Sequence, residues 1–262
     1  MQLRSLSDGR IAVITQPAHA WLAGRLVRQW GRPPFAPPAP FDAVCFAAEN
    51  HDIGWLAWET APMLDPETGL PRTFTRMPLS AHLSIWRDGI NHAGHYGRYP
   101  ALLVSLHAST IYRRFFNMDQ AKPADAETVR AFLDEQRTVQ DTLTASLRAD
   151  DRLADFVTPA RIDANRLLIA AADWLSLTLC QNPDRPGSVP NAPTAEGGRA
   201  ELTMIPAADG TVTIEPWPFI VDRIDDSVEA RLLPGPQTDD GALQRILAAA
   251  PSVDLPIKLR RQ

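Results

Sequence analysis

Five of the six helical repeats in this sequence place an ionisable side chain on the face that has to be buried. The repeat over 16–30 carries His19 in the stripe His19, Leu22, Ala23, Leu26 and Trp30. The repeat over 41–52 ends in the pair His51–Asp52, 79–90 carries His82, 100–116 carries His107 and 161–181 carries Asp173. A sixth repeat, over 125–149, is a built-in control, because its stripe (Val129, Phe132, Leu133, Gln136, Val139, Leu143, Leu147) holds no ionisable group. Burying a charge is costly unless it is paired or coordinates a metal. A lone histidine on such a stripe is ordinarily a hydrogen-bonded core residue, and a lone aspartate a cap or ion-pair partner. Five coincidences call for a common destination. Four imidazoles and two carboxylates are a donor set for two divalent transition-metal ions. Asp52 can bridge them, and the imidazoles favour Fe or Mn over Mg.

The chain is 262 residues long and 45% hydrophobic, enough for one large domain or two small ones. A net charge of −5 argues against a general nucleic-acid binder. No apolar run reaches the ~20 residues that span a bilayer, and the opening residues MQLRSLSDGR do not read as a signal peptide. The expectation is a cytoplasmic protein with no membrane or nucleic-acid partner. Cys45 and Cys180 fall in apolar helical patterns and read as core residues, not a bridge.

Residues 11–15 read as a strand, and 202–206, 211–216 and 228–233 as further strands, with Asp209-Gly210 as a hairpin turn. Residues 60–78, 91–99 and 182–199 read as loops, and a short helix near 239–249 and a basic tail (Lys258-Leu259-Arg260-Arg261) close the chain. The expected architecture is mainly α: a helical bundle with a small antiparallel β appendage made largely by C-terminal strands, joined by the first strand. It is expected to be one domain, with a metal-binding core over 11–181, a connector over 182–199 and a β-rich part over 200–262.

His51-Asp52-Ile53-Gly54 stands at the end of the second repeat, and Gly54 is the residue type found just past a helix end. The order His19, His51-Asp52, His82, His107, Asp173 resembles the HD superfamily of metal-dependent enzymes, in particular its two-metal branch. The likeness covers roughly residues 11–180. Gln16-Pro17-Ala18-His19, His51-Asp52-Ile53-Gly54-Trp55 and Ser105-Leu106-His107 also resemble a bacterial HD-related family of unknown function, which implies no activity. The HD resemblance implies an HD-like bundle with one ion on His19, His51, Asp52 and Asp173, and a second on Asp52, His82 and His107. Members of that superfamily often carry Lys or His where this chain has Trp55, which argues against a standard cyclic-dinucleotide phosphodiesterase.

The expected activity is phosphoester hydrolysis on a small anionic substrate, because two dications against two carboxylates leave the site at +2. Asp52 and Asp173 are the catalytic candidates, Asp173 or a loop histidine assisting proton transfer. His92 and His95 in the 91–99 loop, with Arg72, Arg76 and Arg98, are candidate substrate contacts. Two alternatives stay open: a di-iron oxygenase using the same six ligands, and a non-catalytic metal-stabilised binding module.

Overall fold

The computed structural model describes all residues, 1–262. Helix accounts for 49% of the chain and strand for 20%. The strands are β1 (Gln2–Ser5), β2 (Ile11–Ile14), β3 (Gly187–Pro193), β4 (Arg199–Pro206), β5 (Thr211–Glu215), β6 (Arg223–Leu233) and β7 (Ser252–Arg260). The helices are α1 (Gln16–Arg28), α2 (Phe41–Glu49), α3 (Trp55–Thr60), α4 (Leu79–Tyr96), α5 (Arg98–Phe115), α6 (Pro123–Arg148), α7 (Pro159–Gln181) and α8 (Asp240–Ala249).

This corrects the expectation of a mainly α bundle with a small appendage. All seven strands form one curled mixed sheet, ordered β1-β2-β6-β7-β5-β4-β3, which closes to a half-barrel. It is not purely antiparallel, because β5 and β7 run parallel. The N-terminal strands join the C-terminal ones where β2 pairs with β6, Ile11 opposite Leu233. Three strands escaped the sequence reading. β3 lies inside the segment taken for a connector. Its irregular register and the left-handed Asn191 (φ 61°) disguise the alternation. β7 runs into the expected basic tail, and its charges Asp254, Lys258 and Arg260 mask the strand period. Between them Leu255, Ile257 and Leu259 are buried at the two-residue period of a strand. β1 is only four residues long.

The sheet's inward face meets α1, α2 and α7 in one continuous core that includes Ala12, Ile14, Leu202, Met204, Val228 and Ile257. Helices α4, α5 and α6 enclose a second cluster around Leu83, Val104 and Phe132. Helix α7 stands between the sheet and the other helices, and Trp174 ties it to β3 by donating to the Ser188 carbonyl at 2.9 Å. Cys45 and Cys180 are buried free thiols. No helix is long and apolar enough to cross a membrane.

Two further boundaries differ. Helix α4 does not stop at residue 90 but runs on to Tyr96, through the residues expected as a loop. Helix α2 ends at Glu49, so His51 and Asp52 sit in the turn that follows. The role of Gly54 is therefore not a helix end. Its φ of −63° is open to any residue, but a Cβ there would lie 2.0 Å from the Ile85 carbonyl oxygen of α4. Glycine is required because the His51-Asp52 turn lies directly against the backbone of α4.

Candidate metal centre

Four elements and one turn bring the stripe residues together. Helix α1 is started by Thr15, whose side chain accepts the Ala18 N–H, and its first turn presents Gln16 and His19. The turn after α2 supplies His51 and Asp52, α5 supplies His107, α7 supplies Asp173 and α4 supplies His82. His19, His51, Asp52, His107 and Asp173 are all buried. His82 is half-buried at the cavity wall.

One ligating atom from each of His19, His51 and Asp173 lies within 4.8 Å of the others, a cluster that could hold a metal ion. Asp52 belongs with them, its Oδ2 being 2.9 Å from His19 Nε2 and 3.7 Å from His51 Nε2. His51 Nε2 is 3.3 Å from Asp173 Oδ1, and His107 Nε2 is 3.6 Å from Asp173 Oδ2. Ligands ~2.1 Å from a common ion and at right angles to each other would be about 3.0 Å apart, close to these separations.

The histidines differ in what holds their far side. His51 donates Nδ1–H to the Ala48 carbonyl at 2.8 Å, which turns Nε2 inward. That Nε2 has no hydrogen-bond partner although it is buried; Asp173 is near enough to attract it but not aligned to bond it. His19 Nδ1 is 3.0 Å from Ser176 Oγ, whose own proton goes to the Asp173 carbonyl at 2.9 Å. The hydroxyl then accepts from His19 Nδ1, and His19 Nε2 points at Asp52 Oδ2, 2.9 Å away and hydrogen-bonded to it. A metal-ligating histidine is typically oriented in this way by a hydrogen bond from its other nitrogen. His107 lacks such a partner, since its Nδ1 is buried and unbonded. His82 Nδ1 meets the Tyr112 hydroxyl at 2.7 Å, and its ring packs 5.5 Å from Trp55. The structure thus gathers His19, His51, Asp52 and Asp173 tightly, with His107 beside them and His82 on the wall.

Charge follows the same division. Burial would depress the basicity of His51, but the Asp52 and Asp173 carboxylates outweigh it and raise His51 to about 9. Burial would raise both carboxylates, yet the imidazoles around them hold Asp52 and Asp173 below the ordinary range. His82 and His107, where burial dominates, fall to about 4 and are neutral at pH 7.

Three orienting residues were not singled out from sequence. Gln16 donates Nε2–H to Asp52 Oδ2 at 3.1 Å, and its carbonyl accepts from Gln2 at 3.1 Å. Ser176 could have been found, because it follows Asp173 by one turn on the same stripe. Gln16 stood in the sequence only as part of the Gln16-Pro17-Ala18-His19 stretch, and Tyr112 carried no signal.

The centre forms the floor of a cavity of about 630 Å³. Asp52, His82, His107 and Asp173 line it together with Trp55, Trp86, Tyr112 and Trp174. The candidate substrate contacts lie elsewhere. His92 and His95 are exposed on α4. Arg76 is paired with Asp65 and Glu67, Arg98 with Asp150, and Arg72 reaches the Leu64 carbonyl at 3.5 Å. None of the five lines the cavity.

The fold and site define a mixed α/β protein in which a half-barrel sheet backs a helical layer, with a buried His/Asp cluster able to hold a metal at the floor of an aromatic cavity. The chain belongs to the DUF3891 family, described as proteins of unknown function, whose family model matches residues 1–235. No curated protein and no solved structure matches it.

Proposed function

We propose that the protein is a metal-dependent phosphohydrolase with an HD-type centre, acting on a small phosphoester. The observation that carries this is the convergence of two outward-anchored imidazoles and two buried carboxylates, with His51 Nε2 buried and unbonded among them. His19, His51, Asp52 and Asp173 would hold a divalent transition-metal ion, with Fe or Mn suited to the imidazole share. Asp52, His82 and His107 would hold a second. Bound there, the metal supplies Lewis acidity, making a water nucleophilic near neutral pH and offsetting charge on a phosphoryl oxygen. The residues do the rest. Gln16 fixes the Asp52 carboxylate, Ser176 fixes His19, and the indoles of Trp55 and Trp86 keep bulk water from the floor. Asp173, with His107 beside its Oδ2, is placed to take up a proton from the attacking water.

A second reading, oxidation of a substrate by a di-iron centre on the same residues, is favoured by one observation. No lysine or arginine lines the cavity, so nothing but metal would neutralise an anionic substrate.

The test is elemental analysis of protein reconstituted with Fe or Mn, with phosphoester turnover measured under air and under argon. The expected result is bound metal and oxygen-independent turnover, with metal affinity lowered about 10–100-fold or more in His51→Ala. Turnover that consumes oxygen would select the second reading. A folded protein that takes up no metal would overturn both.

A further inference from the structure

The cavity above the centre is built for a different surface from that of a nucleotide or a sugar phosphate. Eleven of its twenty lining residues are hydrophobic, and none is Lys or Arg. Its walls are aromatic: Trp55 and Trp86 by the floor, Tyr112 and Phe116 along α5 and the turn after it, and Trp174 stacked on Phe115 with ring planes 13° apart. Its volume of about 630 Å³ lies within the ~300–1,000 Å³ of small-molecule sites, which are mainly apolar with a few placed polar groups.

The wall indoles act as apolar surface. The indole N–H groups of Trp55 and Trp86 are buried and have no acceptor within the protein. Indole nitrogen can only donate, and an unmet buried donor is costly. A third unbonded indole, Trp30, packs between Phe35 and Phe219 and does not line the cavity. Both cavity-wall indole nitrogens are shut off from the open space of the cavity, so an occupant meets ring carbons and not these N–H groups. The aromatic faces ask for a planar or alicyclic body to stack against.

We infer that the cavity binds an uncharged, ring-bearing apolar group. Resting on the phosphohydrolase reading, this makes the substrate the phosphoester of an aromatic or alicyclic alcohol, with one phosphoryl group at the metal floor.

The experiment is a fluorescence titration of the metal-loaded protein with the uncharged probe N-phenyl-1-naphthylamine, competed by 1-naphthyl phosphate and by ribose 5-phosphate. Metal content is measured on the same samples. Saturable binding is expected, with 1-naphthyl phosphate displacing the probe at a concentration at least tenfold lower than ribose 5-phosphate. Leu177→Glu places a charge on the half-buried wall and should weaken probe binding at least tenfold while metal content stays unchanged. Should that variant not fold, Phe115→Ala removes a ring that is already 54% exposed, and should weaken binding several-fold. The inference is overturned by a folded, metal-loaded protein that shows no saturable binding, by equal displacement by the two phosphates, or by wall variants that bind as tightly as the wild type. Probe binding by protein that takes up no metal would support the cavity assignment and sink the metal reading alone.

Discussion

His51 is the residue on which protons and the proposed metal would compete. In the metal-free protein it is raised to about 9 from an ordinary 6.5 by Asp52 and Asp173. A group whose pKa is raised on folding adds stability that is complete below the unfolded value and disappears as pH climbs through the folded one. Metal-free protein should therefore lose stability between about pH 6.5 and 9. The depressed carboxylates act in the opposite sense, their contribution being lost only as pH falls below the ordinary carboxylate range. A metal ion needs the neutral imidazole, so binding releases the His51 proton. Metal affinity should rise from pH 7 to 9, approaching tenfold per unit for release of one proton, as measured by competition with a chromophoric chelator. Affinity that is flat over this range would show that His51 is not a ligand.

At the scale of elements, the His51-Asp52 turn and helix α4 are held at backbone contact by Gly54 and Gly89. In Gly54→Ala the new Cβ would meet the Ile85 carbonyl at 2.0 Å and the Gly89 nitrogen at 2.7 Å, neither of which can move without shifting α4 or the turn. The expected cost is about 1–3 kcal/mol, as for other overpacked sites. Each kcal/mol should appear as ~2–4 °C in melting temperature for a chain of this size. Metal content should fall with it, because the turn carries two ligands. Gly94→Ala, in the same helix, supplies the contrast. Its Cβ would find only Ala101 at 3.9 Å, and a helix-interior alanine is favoured over glycine by up to ~1 kcal/mol. That variant should melt at or above the wild-type temperature and keep its metal. If both variants behave alike, the close approach is not what the glycine serves.

Across the whole molecule, the candidate metal centre lies where the chain's distant parts meet. It joins α1, the turn after α2, α5 and α7, and the sheet behind them knits residues 2–14 to 187–260. An ion bound only by the folded state stabilises all of these contacts together, by ~4 kcal/mol when free metal is a thousandfold above its dissociation constant. Chelation of a metal-loaded sample should lower the melting temperature by several degrees, and readdition should restore it. His92→Ala, on the exposed side of α4, should change neither melting temperature nor metal content. Chelation without a shift, in protein shown to have lost its metal, would mean that the cluster is held by its own hydrogen bonds.

The sequence by itself determined the long helices and most of the polar residues they would bury, with α3 unread and His82 only half-buried. Periodicity marks α1, α2, α4, α5, α6 and α7, and the cost of burying charge singles out His19, His51, Asp52, His107 and Asp173 on their stripes. Those are local properties, because a 3.6-residue repeat and a misplaced histidine are visible within a dozen residues. The sheet was less legible. β3 pairs with the adjacent β4, but its irregular register and turn-forming residues hide the alternation, while β7 lies between β6 and β5 and its outward face carries the charges that read as a tail. Only the tertiary structure decided that His92 and His95 ride an extended helix away from the cavity. It alone decided that Gly54 answers to a neighbouring backbone, that Gln16 holds Asp52 and Ser176 holds His19, and that Trp55 forms a cavity wall. Each of these depends on which element lies against which, a relation set by packing between residues that no local pattern connects.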